Sequence, residues 1–320
     1  MVIIVGAGPI GLACGIELKK KNIPFLIIEK GCLVNSLFHY PTNMTFFSTS
    51  DRLEIGDVPF ISHGAKPVRR EALEYYRRVA ESYALPINYY EKVEKLEGSE
   101  GDFTVHTDKD SYQADQVIVA TGFYDLPNKL NVQGEDQDHV FHYYDEPHPY
   151  NGQPVVVIGA GNSAVDVALE NYRCGADVTM VIREEQLKQT VKYWVLPDIE
   201  NRIKEGSIKA LFNSSVKEIG KDSLIAETPD GEQEIPAKFV FAMTGYKPNY
   251  GLLNAFNIKP GDDDAKTPMY NEETMESNNK GVYLAGVVCG GLNTSRWFIE
   301  NSREHAELIV EDIAGKVEVS

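Results

Sequence analysis

Two glycine-rich turns, each directly after a short run of apolar residues, constrain the fold of this chain more than any other feature. The first turn spans residues 6–11 (GAGPIG) and follows the apolar residues 2–5. The second spans residues 159–164 (GAGNSA) and follows the apolar residues 155–158. A strand that runs through such a turn into a helix is typical of dinucleotide sites, because the glycines let a pyrophosphate approach the free N–H groups at the start of the helix. The sequence therefore predicts an α/β protein with two Rossmann-like dinucleotide-binding domains.

The residues at the ends of the two second strands carry opposite charges. The apolar residues 25–28 are followed by Glu29, and the equivalent residues 178–182 are followed by Arg183. A carboxylate accepts hydrogen bonds from an unmodified ribose and repels a 2′-phosphate, whereas a guanidinium attracts that phosphate. We therefore expect the first turn to bind FAD and the second to bind NADPH.

A further pair of similar segments indicates that the nucleotide-binding unit is duplicated. Residues 117–122 and residues 239–245 are buried-strand patterns that end in Ala-Thr-Gly and Met-Thr-Gly, at matching places after the two turns. The second copy is nested inside the first. We therefore predict an FAD-binding domain of residues 1–125 and 246–320, interrupted by an NADPH-binding domain of residues 126–245.

Charge, apolar runs and cysteine spacing limit the binding partners and the cell compartment that we expect for this protein. The net charge is −17, so neither nucleic acid nor an anionic membrane is an expected partner. The first apolar strand begins at residue 2, which leaves no room for a signal peptide, and no apolar run approaches the roughly 18–20 residues of a membrane span. The four cysteines show neither a CxxC pair nor the spacing of metal ligands. We expect a cytoplasmic protein without a metal site.

The two turns, the paired Thr-Gly endings and the short length resemble the thioredoxin-reductase-like flavoproteins with two dinucleotide domains. Several other stretches are similar to the YpdA family of bacillithiol disulfide reductases, and they are spread over nearly the whole chain. These stretches are residues 40–42 (YPT), 45–48 (TFFS), 55–60 (IGDVPF), 140–143 (VFHY), 245–248 (GYKP) and 298–301 (FIEN).

This resemblance implies an FAD-bound reductase that oxidises NADPH and reduces a low-molecular-weight disulfide. It also implies that the loop at residues 46–48 and a helix start at residues 294–301 lie near the isoalloxazine ring. The wider architecture is often dimeric, so a homo-oligomer is a further expectation.

The chain departs from the resembling proteins at three places. The YpdA family commonly has a cysteine between the proline and the last glycine of the first turn, where this chain has Ile10. The CxxC of thioredoxin reductases has no counterpart in residues 140–149, which argues against thioredoxin reduction by that dithiol. An aspartate commonly follows the glycine of the last strand in the wider superfamily. Here Val287 follows Gly286, as in the YpdA-like proteins.

The candidate cofactor-binding residues lie in the two turns, at the strand ends and in the segments that the resemblance assigns to the flavin. They are Gly6, Gly8, Pro9, Gly11, Glu29, Lys30, Phe47, Ser48, Val93, Thr121, Gly122, Gly159, Gly161, Asn162, Ser163, Ala164, Arg183, Gly245, Gly286, Val287, Phe298 and Ile299. Lys188 and Lys192 are expected to be ordinary surface lysines.

The sequence leaves the catalytic residues open. Cys14 and Cys289 are the candidates for a redox thiol, although Cys14 is expected to be a small buried hydrophobe on its helix. The C-terminal segment is predicted to form one helix from about residue 294 to a stop at Gly315. His305 on this helix could reach the active site, although a surface position is the expectation.

Three other functions fit two dinucleotide sites. A flavin monooxygenase would need a dry pocket in which reduced flavin meets oxygen. A ferredoxin- or flavodoxin-NADP reductase would need a basic docking patch, of which a chain with a net charge of −17 shows little sign. A redox sensor would keep both cofactors without turnover.

Overall fold

The computed structural model describes residues 1–319, with the side chains of residues 1–316. The helices are α1 (Pro9–Lys20), α2 (Asn35–Phe38), α3 (Arg69–Ser82), α4 (Asn162–Arg173), α5 (Leu196–Lys204), α6 (Tyr250–Ala255), α7 (Ile299–Ser302) and α8 (His305–Val319). Short 3-10 turns span Ser50–Leu53, His148–Tyr150 and Gly286–Gly290.

The strands are numbered β1 to β18 along the chain, and β18 belongs to the same sheet as β1. The first of them are β1 (Val2–Val5), β2 (Phe25–Glu29), β3 (Ile87–Tyr89), β4 (Val93–Ser99), β5 (Asp102–Thr107), β6 (Ser111–Ala114), β7 (Gln116–Val119) and β8 (Leu126–Pro127). The others are β9 (Val140–Phe141), β10 (Pro154–Ile158), β11 (Asp177–Val181), β12 (Lys209–Leu211), β13 (Ser215–Ile219), β14 (Ser223–Thr228), β15 (Gly231–Pro236), β16 (Phe239–Ala242), β17 (Tyr246–Lys247) and β18 (Val282–Leu284).

The chain divides into two compact units. Unit 1 consists of Met1–His39, Met44–Leu126 and the residues from Tyr246 onward. Unit 2 consists of Tyr40–Asn43 and Pro127–Gly245. The boundaries predicted from the sequence differ from this division by one residue at Leu126 and by the short segment Tyr40–Asn43.

Unit 1 is built on a five-stranded parallel sheet in the order β18-β7-β1-β2-β3. Helix α1 connects β1 to β2, and the antiparallel sheet β4-β5-β6 intervenes between β3 and β7. All four residues of β1 are buried, as expected for a central parallel strand that is covered on both faces. The apolar run at the start of the sequence is therefore the centre of this sheet.

Unit 2 repeats the same topology. Its parallel sheet has the order β9-β16-β10-β11-β12, with α4 between β10 and β11 and the antiparallel sheet β13-β14-β15 between β12 and β16. Each glycine-rich turn therefore joins the central strand of a sheet to the helix that follows it. In such sheets, ligands bind at the carboxyl ends of the strands. The α/β fold with two similar dinucleotide-binding sheets is as the sequence predicts.

The C-terminal segment differs from the prediction of one helix. Helix α7 begins at Ile299, because Phe298 is its N-cap and donates its N–H to Asn301 Oδ1 at 2.7 Å. A second helix, α8, begins at His305 and continues past Gly315. A Cβ at Gly315 would meet no atom within 4 Å, so this glycine occupies an ordinary helical position. The prediction that the helix stops at Gly315 was wrong. None of the helices within residues 1–319 combines the length and apolar character that crossing a bilayer requires.

Candidate functional site

Two glycines of the first glycine-rich turn have no room for a side chain, Gly6 because of the residue that follows β7 and Gly11 because of the turn itself. A Cβ at Gly6, where φ is +108°, would lie 2.6 Å from the carbonyl oxygen of Ala120. A Cβ at Gly11 would lie 2.0 Å from the carbonyl oxygen of Gly6. By contrast, a Cβ at Gly8 would meet nothing within 4 Å, and Pro9 starts α1 at the next position. The open side of the turn thus lies at the helix N-terminus, which fits a pyrophosphate.

Glu29 is the buried carboxylate that holds this turn. Its side chain is only 6% exposed, and its Oε2 accepts from the Ala7 N–H at 2.8 Å. Its Oε1 accepts from the Gly31 N–H at 2.9 Å. Burial raises the pKa of Glu29, while these two hydrogen bonds oppose the rise. Lys30 points elsewhere and pairs with Asp125, with Nζ and Oδ2 2.6 Å apart.

The two segments that the resemblance assigns to the flavin meet in unit 1. Ser48 Oγ donates to Glu300 Oε1 at 2.5 Å, which joins two residues 252 positions apart in the sequence. Phe47 is 54% exposed and Phe298 is 48% exposed. Lys66 Nζ lies 5.0 Å from the centroid of the Phe47 ring. An exposed aromatic ring such as that of Phe298 offers apolar surface to a ligand.

The glycine turn after β18 lies against the first fingerprint. Gly286 has φ +83°, and a Cβ there would lie 3.1 Å from Ile10 Cγ1. The Gly286 N–H donates to His305 Nδ1 at 3.1 Å. Val287 Cγ2 lies 3.8 Å from the Cβ position of Gly122, the glycine that follows β7 with φ +69°. The structure therefore brings Ile10, Gly122, Gly286 and Val287 together at one edge of the sheet.

The remaining predicted residues of unit 1 lie at element boundaries. Thr121 is half-buried and precedes Gly122 after β7. Val93 is 6% exposed and begins β4. Ile299 is half-buried and is the first residue of α7.

The second glycine-rich turn repeats the first with one difference. A Cβ at Gly159, where φ is +131°, would lie 2.5 Å from the carbonyl oxygen of Met243. Gly161 is the N-cap of α4. Ala164 occupies the position equivalent to Gly11 and is fully buried, and its Cβ lies 3.3 Å from the Cβ position of Gly159. Gly245 has φ +85° and follows β16 as Gly122 follows β7.

The start of α4 also anchors a loop. Asn162 Nδ2 donates to the Thr190 carbonyl at 3.0 Å, and Asn162 Oδ1 accepts from the Lys192 N–H at 2.8 Å. Lys192 Nζ pairs with Asp166 Oδ2 at 2.7 Å, and its side chain is only 11% exposed. The prediction of Lys192 as an ordinary surface lysine was wrong, because this ion pair fixes it on α4. Ser163 remains exposed.

Two cations remain near this second turn. Arg183 is exposed and follows β11 by two residues. Lys188 is exposed, and its Cδ lies 3.9 Å from the Cβ position of Gly161. Within the part of the chain that the structure describes, neither side chain has a carboxylate within ion-pair distance. Both are therefore available to an anionic ligand.

None of the four cysteines is arranged as a nucleophile. Cys14 and Cys289 are fully buried, and desolvation raises the pKa of the Cys14 thiol to about 12. Burial also raises the pKa of Cys289 well above its usual range. Cys32 and Cys174 are half-buried and unpaired. Because the thiolate is the reactive form, burial disfavours thiol chemistry at Cys14 and Cys289.

His305 is the functional candidate for which the expected surface position was wrong. It is 3% exposed rather than at the surface. Its contact with Gly286 depends on the break between α7 and α8, which the apolar pattern of this segment does not reveal.

Comparisons with known proteins identify the family and the fold of this chain. The family model described as pyridine nucleotide-disulphide oxidoreductase matches residues 3–286. Bacilliredoxin reductase Bdr of Bacillus subtilis (strain 168) is 44% identical over 98% of this chain and 97% of the relative. The solved structure of bacillithiol disulfide reductase Bdr (YpdA) from Staphylococcus aureus has a TM-score of 0.96 at 42% identity and covers 98% of both chains. That from Bacillus cereus has a TM-score of 0.96 at 43% identity and covers 99% of both. The chain therefore belongs to the pyridine nucleotide-disulphide oxidoreductase family and is an FAD- and NADPH-dependent oxidoreductase.

Proposed function

We propose that this protein catalyses the reaction NADPH + H⁺ + RSSR → NADP⁺ + 2 RSH, in which RSSR is a low-molecular-weight disulfide of the bacillithiol class. The observation that carries this proposal is the similarity, over nearly the full chain, to reductases named for bacillithiol disulfide and bacilliredoxin. When bound, FAD accepts two electrons from NADPH and passes them to the disulfide. Family membership supports this reductase over the monooxygenase and the ferredoxin- or flavodoxin-NADP reductase.

Residues 1–125 and 246–320 are the FAD-binding part in this proposal. The free N–H groups beside Gly8 receive the pyrophosphate, and the buried Glu29 carboxylate, already held by two backbone N–H groups, receives the adenosine ribose. The other proposed FAD contacts are Gly6, Pro9, Gly11, Lys30, Phe47, Ser48, Val93, Thr121, Gly122, Gly286, Val287, Phe298 and Ile299.

Residues 126–245 are the proposed NADPH-binding part. The start of α4 receives the pyrophosphate, and Arg183 pairs with the 2′-phosphate because it is an exposed guanidinium without a carboxylate partner among the described residues. The other proposed NADPH contacts are Gly159, Gly161, Asn162, Ser163, Ala164 and Gly245. Asn162 acts chiefly by holding the loop that carries Thr190 and Lys192.

The disulfide is reduced without a thiol of the enzyme in this proposal. Three observations support this route: the burial of Cys14, the burial of Cys289, and Ile10 in place of a turn cysteine. The side chain of Ile10 instead packs beside Gly286. Neither buried thiol can exchange with a disulfide without opening the core of unit 1.

The test is an anaerobic turnover experiment with the purified holoenzyme. NADPH or NADH supplies electrons to bacillithiol disulfide, and the thiol product is quantified for the wild type and for a Cys14→Ala, Cys289→Ala double variant. We expect thiol formation with NADPH in both proteins, and slower flavin reduction by NADH. Bleaching of the flavin without thiol formation would reject the acceptor. Product from the wild type alone would reject only the thiol-free route.

The compartment and the association state belong to the same proposal. A bacillithiol disulfide is a substrate of a reducing cell interior, so we propose a cytoplasmic enzyme. Homo-oligomer formation is measured directly by sedimentation of the holoenzyme.

A further inference from the structure

His305 makes a backbone contact that determines its tautomer. It is the first residue of α8 and is 3% exposed. Its Nδ1 accepts the Gly286 N–H at 3.1 Å. A neutral imidazole that accepts at Nδ1 carries its proton on Nε2. The buried Nε2 has no hydrogen-bond partner among the described residues, so the contact at Nδ1 is what fixes the ring in place.

The same imidazole contacts the segment before α7. The rings of His305 and Trp297 meet edge to face, with centroids 4.5 Å apart and an interplanar angle of 79°. Phe298, the N-cap of α7, follows Trp297 directly. Cys289 Sγ lies 3.9 Å from Nδ1, a distance typical of a packed sulfur rather than of a strong hydrogen bond. One side chain therefore joins the turn after β18 to the start of α7.

The turn after β18 lacks a polar side chain of its own beside Gly286. Val287 occupies the next position and has no hydrogen-bonding group. Gly286 has a left-handed φ of +83° and lies against Ile10. The side chain of Ile10 leaves no room for a Cβ at this turn, and the Gly286 N–H would lose its acceptor if the turn moved away from His305. A buried N–H without an acceptor is unfavourable.

We propose that His305 is the positioning residue for the flavin, holding the Gly286–Val287 turn and the Trp297–Phe298 segment in the arrangement that receives it. This inference rests on the proposed FAD placement of the preceding subsection. It assigns no contact between His305 and the cofactor. The imidazole acts only through the backbone N–H of Gly286 and the ring of Trp297.

The test compares three variants by the release of FAD on dilution of the holoenzyme, followed by flavin fluorescence. Asn Oδ1 in His305→Asn occupies nearly the place of Nδ1 and keeps an acceptor for Gly286. His305→Gln moves the acceptor away, and His305→Leu removes it. We expect the dissociation constant of FAD to rise tenfold or more for Leu and Gln and to stay within threefold for Asn. Should the Leu variant fail to fold, the difference between Asn and Gln decides the result.

Two further variants separate the possible failures. Cys289→Ala removes the neighbouring sulfur and leaves the Gly286 contact intact, so we expect FAD release as in the wild type. Gly286→Ala introduces a Cβ at a left-handed position beside Ile10 and should release FAD readily. If the Asn, Gln and Leu variants bind FAD equally well and Gly286→Ala binds it more weakly, the positioning role of His305 is overturned and the proposed FAD placement stands. Unchanged affinity in Gly286→Ala as well would overturn the proposed FAD placement.

Discussion

The two glycine-rich turns share one topology but differ in what surrounds them. In unit 1 the charged residue at the strand end, Glu29, is buried and bonded to two backbone N–H groups. In unit 2 the residue in register with Glu29 is the buried Ile182, and the charged residue Arg183 lies one position further and is exposed. The last small residue of the turn is Gly11 in unit 1, beside a backbone oxygen, and Ala164 in unit 2. The first site is thus closed around its polar group, whereas the second presents its charge to solvent, which suits a resident FAD and an exchanging NADPH.

The largest expected difference between the units concerns the last turn position. In Gly11→Ala the new Cβ would lie 2.0 Å from the Gly6 carbonyl oxygen, so the turn or α1 must shift. We expect loss of bound FAD and a cost of about 3 kcal/mol in the free energy of unfolding, at the upper end for overpacking. The matched change Ala164→Gly in unit 2 should cost about 1 kcal/mol. Urea unfolding measures both. Equal losses would show that the two turns are packed alike.

His305 of unit 1 and His142 of unit 2 are expected to differ in how they make the free energy of unfolding depend on pH. Desolvation lowers the pKa of His305 to about 4, below the unfolded value of about 6.5. The unfolded chain therefore binds more protons between these values. The contribution of His305 to stability is complete above pH 6.5 and is lost as pH falls toward 4, by about 3 kcal/mol in total. Urea unfolding from pH 4 to 7.5 should show this loss in the wild type and not in His305→Asn.

His142 of unit 2 is the control for this pH response. It follows β9, the strand equivalent to β18, and burial lowers its pKa as well. Lys129 Nζ, 3.4 Å from His142 Nε2, also lowers this pKa. By contrast, Glu135 Oε1, 3.4 Å from the same nitrogen, and Asp136 favour the protonated form. His142→Asn should therefore change the pH dependence less than His305→Asn does. A larger change for His142→Asn would contradict the assignment to His305.

The parts of this comparison that are local in sequence could be predicted from the sequence. The glycine spacing, the apolar strands and the charges of Glu29 and Arg183 are properties of short segments, and strand–turn–helix context determines their conformation. The duplicated sheet follows from finding the same pattern twice. The loop near residues 46–48 and the start of α7 came from the resemblance, and Ser48 does meet Glu300 in the structure.

The contacts that the sequence did not reveal join distant residues. His305 accepts from the Gly286 N–H, and its position depends on the helix break between α7 and α8. The burial of Lys192 depends on Asp166 in α4, 26 residues earlier. Apolar periodicity reports which face of a helix is buried, but it does not report which polar side chain finds a partner there.

The buried carboxylate of Glu29 in unit 1 gives the prediction with the next largest expected effect. Glu29→Gln keeps the shape of the side chain but replaces one carboxylate oxygen with an NH₂ group. The hydrogen bond from either the Ala7 N–H or the Gly31 N–H is then lost, because both groups are donors. Hydrogen bonds to a charged group are each worth about 1.5–3 kcal/mol. We expect roughly a tenfold to hundredfold weaker FAD affinity, measured by flavin fluorescence on dilution. The exposed Glu94→Gln on β4 is the control and should leave FAD affinity unchanged. Unaltered FAD affinity in Glu29→Gln would remove the carboxylate from the proposed ribose site.

The guanidinium of unit 2 gives the smallest expected effect, because an exposed charge is partly screened by solvent. In Arg183→Ala the proposed partner of the 2′-phosphate is lost, and we expect the KM for NADPH to rise about tenfold while the KM for NADH stays within twofold. The matched control is Arg173→Ala, which removes an exposed arginine of the same unit that pairs with Asp198. It should change neither KM. Equal increases for both nucleotides in Arg183→Ala would mean that this residue supports the turn as Glu29 does, and the contrast between a closed and an open site would then lose its electrostatic basis.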